Sequence, residues 1–423
     1  MNVKHESGSS APRTVAVVGA GMVGIGTAIW LLRDGHRVII VDAIGPAEGT
    51  SFGNAGMLAN SSIVPVTVPG LLRKAPGMLF DPMGPLFLKW TYLPRLLPWL
   101  RRYLSHCTRE EVERIANALA PLIGDSVDQH LAIARGTEAE RFIEPAHYTH
   151  VYPDRETYLK DALGWRIRRE HGFQIEEIGE DAIAALEPSL GPSCRFAVQV
   201  PGHAWIRDPG AYVKALCAHA QSQGAELRIA RVEDFRIESG QLRGLLTDRG
   251  PIECDHAVVA AGAWSGGLSA KLGVRAELES ERGYHLELLD ATGGPRIPIS
   301  LAAHKFVVTP MDGRLRLAGL VEFGGLRAGA SNAPYRLLTA KVREAFPKLR
   351  WQAERRWMGH RPATADSLPL LGPVRGAAGV YMAFGHQHVG LTGGPKSGRI
   401  IADLIAGRRP NLDLSPYSPE RFG

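Results

Sequence analysis

The feature that most constrains this chain is a stretch of about thirty residues near its start. Residues 14–18, Thr-Val-Ala-Val-Val, form a β-branched apolar run suited to a buried parallel strand. Gly19-Ala20-Gly21-Met22-Val23-Gly24 follows at once, Ile25 to Leu32 reads as a helix stopped by Asp34-Gly35, and Arg37 to Asp42 reads as a second buried strand. Strand, glycine turn, helix and strand make one β-α-β unit. Gly19 allows the tight turn, Gly21 lets backbone approach a pyrophosphate, and Gly24 lets helix pack on strand. The helix N-terminus then offers free N–H groups to phosphate. Asp42 ends the second strand eighteen positions after Gly24, close to the roughly twenty expected of an acid that holds a ribose hydroxyl. The unit predicts a bound dinucleotide and does not by itself say which. The near absence of charge from Val15 to Leu32 also suits a membrane span. Glycines at 19, 21, 24 and 26 favour strand, turn and helix instead.

With 423 residues the chain is long enough for two or three domains. Its 45% hydrophobic and 22% charged content is an ordinary globular mix that supports a sizeable core. The net charge of +6 is small for this length, and no dense Lys/Arg run points to nucleic acid. A weaker reading of that charge is attraction to an anionic membrane surface or substrate. Cys107, Cys194, Cys217 and Cys254 are scattered, with no C-x-x-C pair and no His/Cys cluster, so neither a disulfide framework nor a metal site is expected. The first twelve residues are polar, lack the apolar core of a signal peptide and read as a disordered tail. A reducing, cytoplasmic setting follows as the expectation.

Further along, helices are expected over 109–135, 155–171, 182–186, 212–223 and 396–406, and strands over 226–230, 232–237, 242–247 and 256–261. Residues 283–290 and 305–320 alternate like antiparallel strands around an Asp312-Gly313 turn. Residues 408–423 read as a tail. The stretch 71–102 is rich in Leu, Trp, Arg and Pro. It reads either as helices capping a ligand or as a basic interfacial element resting on a membrane. Prolines at 76, 82, 85, 94 and 98 argue against one long amphipathic helix and favour the cap.

Four segments bear on the ligand. Thr50-Ser51-Phe52-Gly53-Asn54-Ala55-Gly56-Met57 places small residues and an Asn just past the second strand, where a flat ring can lie against backbone. Ala257-Val-Val-Ala-Ala-Gly262-Ala-Trp264-Ser265 is an apolar strand ending in glycine, Trp357-Met-Gly-His-Arg361-Pro362 opens a proline-rich segment, and Phe384-Gly-His-Gln-His-Val-Gly390-Leu391-Thr392 is a glycine-rich loop before the last helix. Together with the glycine turn, these segments resemble the D-amino-acid oxidase superfamily of flavoproteins over nearly the whole chain. The likeness is greatest to the bacterial D-amino-acid dehydrogenase group, through Ala185-Leu-Glu-Pro-Ser-Leu190, Trp205-x-x-Asp208-Pro209, Glu281-Arg-Gly-Tyr-His285 and Pro310-Met-Asp-Gly-Arg-Leu-Arg316.

The resemblance implies an α/β (α+β overall) fold: a Rossmann-like FAD-binding domain over 13–60, 180–270 and 357–410, and an antiparallel-sheet substrate domain over 61–179 and 271–356. Gly19, Gly21, Met22, Val23 and Gly24 would hold the pyrophosphate of FAD, and Asp42 its ribose. Thr50, Ser51, Asn54, Ala55, Gly56 and Met57 would lie along pyrophosphate and flavin. Val232 would meet the adenine, Gly262 and Trp264 would close the groove, and Gly390, Leu391 and Thr392 would give backbone contacts to the flavin pyrimidine. The chain has no cysteine after Cys254, which implies non-covalent FAD. The family's Gly-His-Gly-x loop here reads Gly385-His386-Gln387-His388, so the path at Gln387 is open.

Arg361 matches the family's carboxylate-binding arginine, a role that suits the planar guanidinium fork. Tyr284, His304 and His388 are further candidates at the substrate. The implied reaction is oxidation of a D-amino acid, or of a cyclic imino acid such as D-proline or D-hydroxyproline, by hydride transfer to flavin N5. It gives an imine, then a 2-oxo acid and ammonia. A quinone or other carrier would take the electrons. A glycine or sarcosine oxidase-like enzyme using oxygen and a non-catalytic FAD-binding subunit remain the alternatives.

Overall fold

The computed structural model describes residues 12–70, 77, 84 and 86–423. Thr14–Val18 stands inside a six-stranded sheet ordered Leu370–Pro373, Val380–Phe384, His256–Val259, Thr14–Val18, Arg37–Asp42, Glu226–Ile229. Every neighbouring pair is parallel except the first. Val15, Val17, Val38, Ile40 and Val258 are fully buried on one side and Ala16, Ala257 and Val259 on the other. Burial on both faces explains why these runs are unbroken apolar stretches rather than alternating ones.

Helices Met22–Arg33 and Gly390–Ile405 share one core with Val15 and Val17. They lie close because their seam is made of glycine. A Cβ at Gly394 would stand 2.7 Å from Met22 Cγ, and one at Gly398 2.4 Å from the Thr27 nitrogen. The glycine-rich segment before residue 396 is therefore not a loop throughout. Its second half is the opening of the last helix, which starts six residues earlier than its sequence pattern suggests.

The second sheet has ten strands. Its main path runs Ala353–Thr364, Leu278–Leu289, Arg314–Phe323, Phe306–Met311, Ile299–Leu301, Ile143–Tyr152, Phe196–Ile206, Met57–Leu58. Phe196–Ile206, grouped by the sequence reading with the nucleotide-binding segments, pairs here with Ile143–Tyr152. One face packs Tyr284, Leu286, Leu288 and Leu317 against helix Ala333–Ala345. Strand alternation turns Glu281 and Gly283 to the other face, over a cavity. The expected Asp312-Gly313 turn joins Phe306–Met311 to Arg314–Phe323.

Several boundaries move. The helix expected over 109–135 is two, Arg109–Ile123 and Ser126–Ala134, broken at Gly124. That over 155–171 is Arg155–Leu159 and Ala162–Glu170. The C-terminal stretch is not a loose tail: Tyr417 is fully buried, and Arg421 pairs with Asp366 at 2.6 Å. Pro94 and Pro98 do not prevent a helix at Leu93–Ser105, which buries Leu96, Trp99 and Tyr103; Pro94 sits in its first turn, where no N–H is needed. Prolines 76, 82 and 85, and the N-terminal tail up to residue 11, lie outside the described residues. All four cysteines are free. Among the described residues no helix is long and apolar enough to cross a membrane.

Candidate active site

A cavity of about 1530 Å³ runs from the glycine turn to the ten-stranded sheet. That exceeds the roughly 300–1,000 Å³ of an ordinary small-ligand pocket and suits a dinucleotide together with a small substrate. At its nucleotide end the wall is main chain. Gly19 has φ +111°, and a Cβ there would stand 2.4 Å from Ala260 O. A Cβ on Gly24 would stand 1.9 Å from Gly19 O, so this glycine serves beneath the turn rather than at the cavity surface. Gly21, Met22 and Val23 line the cavity, and Met22 N–H donates to Ser51 Oγ at 2.9 Å. Asp42 also lines it, but its carboxylate first holds the turn. Oδ2 accepts from Ala20 N at 2.8 Å, and Oδ1 accepts from Ile44 N and Gly45 N at 2.9 Å. Val232, Gly262 and the half-exposed Trp264 complete this end.

Residues 50–57 form the middle of the wall, and all those expected at the cofactor (Thr50, Ser51, Asn54, Ala55, Gly56, Met57) line the cavity. Asn54 fixes its own loop: Nδ2 donates to Ser51 O at 2.9 Å, and Oδ1 accepts from Gly56 N at 2.7 Å. The ten-stranded sheet grips the loop from behind. Arg316, fully buried and paired with Glu287 at 2.7 Å, donates to Phe52 O and Asn54 O at 2.8 and 2.9 Å. Thr309 Oγ1 donates to Ala55 O at 2.8 Å. His285 lies 3.0 Å from Gly53 O through Nδ1 and stacks on Trp357. Burial pushes this imidazole down to about 3, so it stays neutral. A Cβ on Gly53 would strike the Trp357 ring at 2.0 Å, which explains the glycine.

Gly390, Leu391 and Thr392 line the cavity as the first turn of the last helix, where N–H groups have no partner within the helix. His130 sets that turn in place, with Nε2 2.9 Å from Leu391 O and Nδ1 2.8 Å from the Tyr212 hydroxyl. Burial pushes His130 down to about 4.

At the substrate end, three residues from distant parts of the chain meet. Arg361 Nη1 lies 3.1 Å from Glu281 Oε1, and His388 Nε2 lies 2.7 Å from the same oxygen. Glu281 is 1% exposed. Burial acts to raise its carboxyl, but the facing His388 and Arg361 outweigh that and hold it below the usual carboxylate range. Arg361 also donates to Leu320 O and Gly319 O, at 2.9 and 3.3 Å. Those bonds leave part of its five-donor fork unused. The guanidinium rests on Gly283, where a Cβ would stand 2.5 Å from Cζ. The arginine is thus in place, but as half of an ion pair rather than a free clamp.

Two other candidates are elsewhere. Tyr284 points to the opposite face of its strand, donates to Glu322 at 2.5 Å and packs on Tyr335. Alternation along the strand excludes it from a face that holds Glu281 and Gly283. His304, in a 3-10 turn, lies beside Lys341 and Glu344 and does not line the cavity. The doubtful loop resolves simply. Gln387 keeps the left-handed backbone that a glycine would favour, at φ +47°, with its N–H on Pro362 O at 3.1 Å. His386 is structural, bonded to Ser397 Oγ at 2.9 Å and pushed down to about 4 by burial.

Sequence reasoning gave no role to Glu281, Arg316, His285, Trp357 or His130. Glu281 and His285 sit in a segment quoted for its family likeness, but their partners lie dozens to hundreds of positions away. A period-two reading of Leu278–Leu289 would have put Glu281, Gly283, His285 and Glu287 on one face.

The chain is 41% identical over 417 residues to a D-amino-acid oxidase of Bradyrhizobium diazoefficiens, covering 97% of this chain and 99% of that one. It is 28% identical to a D-amino acid dehydrogenase of Rhizobium rhizogenes, covering 97% and 100%. Among solved structures, glycine oxidase from Geobacillus kaustophilus superposes with a TM-score of 0.74 at 22% identity, covering 97% and 99%. L-proline dehydrogenase from P. horikoshii gives 0.73 at 19% identity, covering 97% and 98%. Residues 14–404 match the family described as DAO, FAD dependent oxidoreductase, and the chain belongs to that family.

Proposed function

We propose that this protein oxidises a D-amino acid, or a cyclic D-imino acid, at the carbon bearing the nitrogen. The observation that carries the reading is Arg361: a guanidinium at the sheet end of the cavity, braced by Glu281 and two carbonyls, with donors left over for a substrate carboxylate. The names of the relatives from Bradyrhizobium and Rhizobium support the amino-acid class and the configuration. Non-covalent FAD fits the residues present. Gly19, Gly21, Met22 and Val23 would face its pyrophosphate, Asp42 its ribose and Val232 its adenine. Thr50, Ser51, Asn54 to Met57, Gly262 and Trp264 would flank the cofactor, and the N–H groups of Gly390, Leu391 and Thr392 its pyrimidine. Bound FAD would supply a two-electron acceptor for the hydride that leaves the substrate; water would hydrolyse the imine of a primary amine to a 2-oxo acid and ammonia, whereas the imine of a cyclic substrate would keep its nitrogen tethered.

The protein's own part is orientation and proton handling. Arg361 holds the carboxylate. His388, hydrogen-bonded to the buried Glu281, takes a proton from the substrate ammonium so that the neutral amine reacts. Helix Leu93–Ser105 caps the cavity through Leu96 and Tyr103. A cytoplasmic enzyme delivering electrons to a quinone or similar carrier fits this arrangement, with any membrane contact confined to exposed side chains such as Leu97 on the inner face.

The test is anaerobic mixing of the holoenzyme with D- and L-amino acids, N-methyl amino acids and D-hydroxyproline while flavin absorbance is followed. Bleaching by D-isomers is expected; bleaching by L-isomers alone, or by nothing, would refute the reading. Adding a quinone or air afterwards identifies the acceptor, with peroxide marking oxygen. Arg361→Ala should lower kcat/KM about 100-fold with FAD retained, the scale of a lost charge-assisted pair. Unchanged kinetics would remove Arg361 from the site.

A further inference from the structure

The cavity does not end at Arg361. Across the face of the ten-stranded sheet it continues to a second polar end, whose wall includes Tyr148, His150, Arg168, Ser300 and Lys305. Arg168 donates through Nε to Ser61 O at 2.9 Å, and its guanidinium carbon sits 4.7 Å from the centre of the Trp165 ring. Among the described residues no carboxylate forms an ion pair with it. The acid at this end is Asp161. It accepts from the Tyr152 hydroxyl at 3.3 Å and lies 3.7 Å from Lys305, on the more exposed side. His150 is 9% exposed, and its Nε2 is buried without a partner. Burial holds its imidazole well below the ordinary value, so it offers a neutral nitrogen. Tyr148 packs against it with ring centres 4.1 Å apart and planes tilted by 46°, and bonds Ser300. Asp161 is paired with Lys305, so the Arg168 guanidinium faces the cavity without a carboxylate against it among the described residues, an arrangement that favours an anion there.

We propose that Arg168, with Tyr148 and His150 beside it, binds a second carboxylate carried on the far end of the substrate. The Arg361 guanidinium bonds the strand Arg314–Phe323, and Ser300 and His150 lie two and three strands away. At a strand spacing of about 4.8 Å, Ser300 and His150 lie roughly 10–14 Å across the sheet from the strand that Arg361 bonds. One carboxylate cannot serve both, so the ligand is an amino acid with an acidic tail, placed on its side chain or on its nitrogen. The inference rests on the cofactor and substrate reading above, which the following test keeps separate.

The holoenzyme is titrated anaerobically with linear monocarboxylates and with dicarboxylates from glutarate to suberate, and the flavin absorbance is followed. None of these has an amine to oxidise, so the result does not depend on D-amino-acid turnover. One dicarboxylate should bind about tenfold tighter than the monocarboxylate of equal length, the scale of one charge-assisted pair. Arg168→Met should bring that ratio close to one. Equal affinities in the wild type, or an advantage that survives Arg168→Met, would overturn the proposal. If Arg168→Met does not fold, Tyr148→Phe keeps the packing and should shrink the same ratio; an undiminished ratio there counts against the site. Flavin reduction by D-2-aminopimelate and by N-carboxypropyl-D-alanine, each against its neutral counterpart, then shows whether side chain or nitrogen bears the tail. A preference for neither speaks against it.

Discussion

At the glycine turn the cavity wall is backbone, fixed by what side chains would obstruct. At the sheet it is made of charged side chains, fixed by one another. Gly19, Gly21 and Gly24 work within six residues of each other, whereas Arg361, Glu281 and His388 come from two strands and a loop. The nucleotide end therefore depends on local geometry and tolerates no added atom at Gly19 or Gly24. The substrate end depends on charge balance and can be re-tuned one partner at a time.

The sharpest way to break that comparison is Gly24→Ala. Its Cβ would fall 1.9 Å from a backbone carbonyl oxygen that cannot swing aside. Destabilisation of about 4 kcal/mol, above the usual overpacking range, and loss of the yellow cofactor are expected. Thermal melting and flavin content would check both; a stable, yellow variant would mean that the nucleotide end is less rigid than argued.

Glu281→Gln should hit the other end and spare the first. It leaves the Arg361 and His388 side without its anion, costing about 3 kcal/mol at neutral pH, with flavin retained and turnover lowered roughly 100-fold. The pH dependence adds a signature. Because the folded-state carboxyl lies below its ordinary value, Glu281 stabilises the protein fully above the unfolded value of about 4.3. That contribution is lost as pH falls through the folded value. The acid limb of a melting-temperature profile should be shallower in Glu281→Gln than in the wild type. Parallel limbs would mean that Glu281 does not titrate as placed.

The smallest effect is expected at Gln387, whose N–H bonds Pro362 O beside Arg361. Its backbone is left-handed, at φ +47°. Gln387→Gly relieves that strain and adds chain entropy in the unfolded state, for a gain of about 0.5–1 kcal/mol. A fall in melting temperature would show that the amide does something the geometry misses.

The same contrast explains what could be read from the chain alone. The β-α-β unit was legible because it is a short motif with a local reason, and the residues expected at the cofactor and Arg361 sit in motifs of the same kind. Of the cofactor residues only Gly24 proved to lie off the cavity wall, and it does so for the reason its motif implies. Tyr284 and His304 were misplaced because a residue's neighbourhood on a sheet depends on which face it takes, which a motif does not state. Glu281 was passed over because its meaning lies in partners 80 and 107 positions away. Last, the helix start at Gly390 was hidden by glycines that ordinarily end helices and here let two of them touch.

That glycine seam has a consequence for synthesis. One helix bordering the cofactor bed, Met22–Arg33, is made long before its companion, Gly390–Ile405. While the chain is still on the ribosome, Met22–Arg33 has a bare flank where Gly394 and Gly398 will later sit. The bed then lacks the N-terminus of Gly390–Ile405. Cofactor capture is thus expected to wait until Gly390–Ile405 has been made. Nascent chains arrested before Gly390 should release flavin on gel filtration, whereas full-length chains keep it. In a cell short of flavin, the vulnerable species would be finished chains waiting for their ligand.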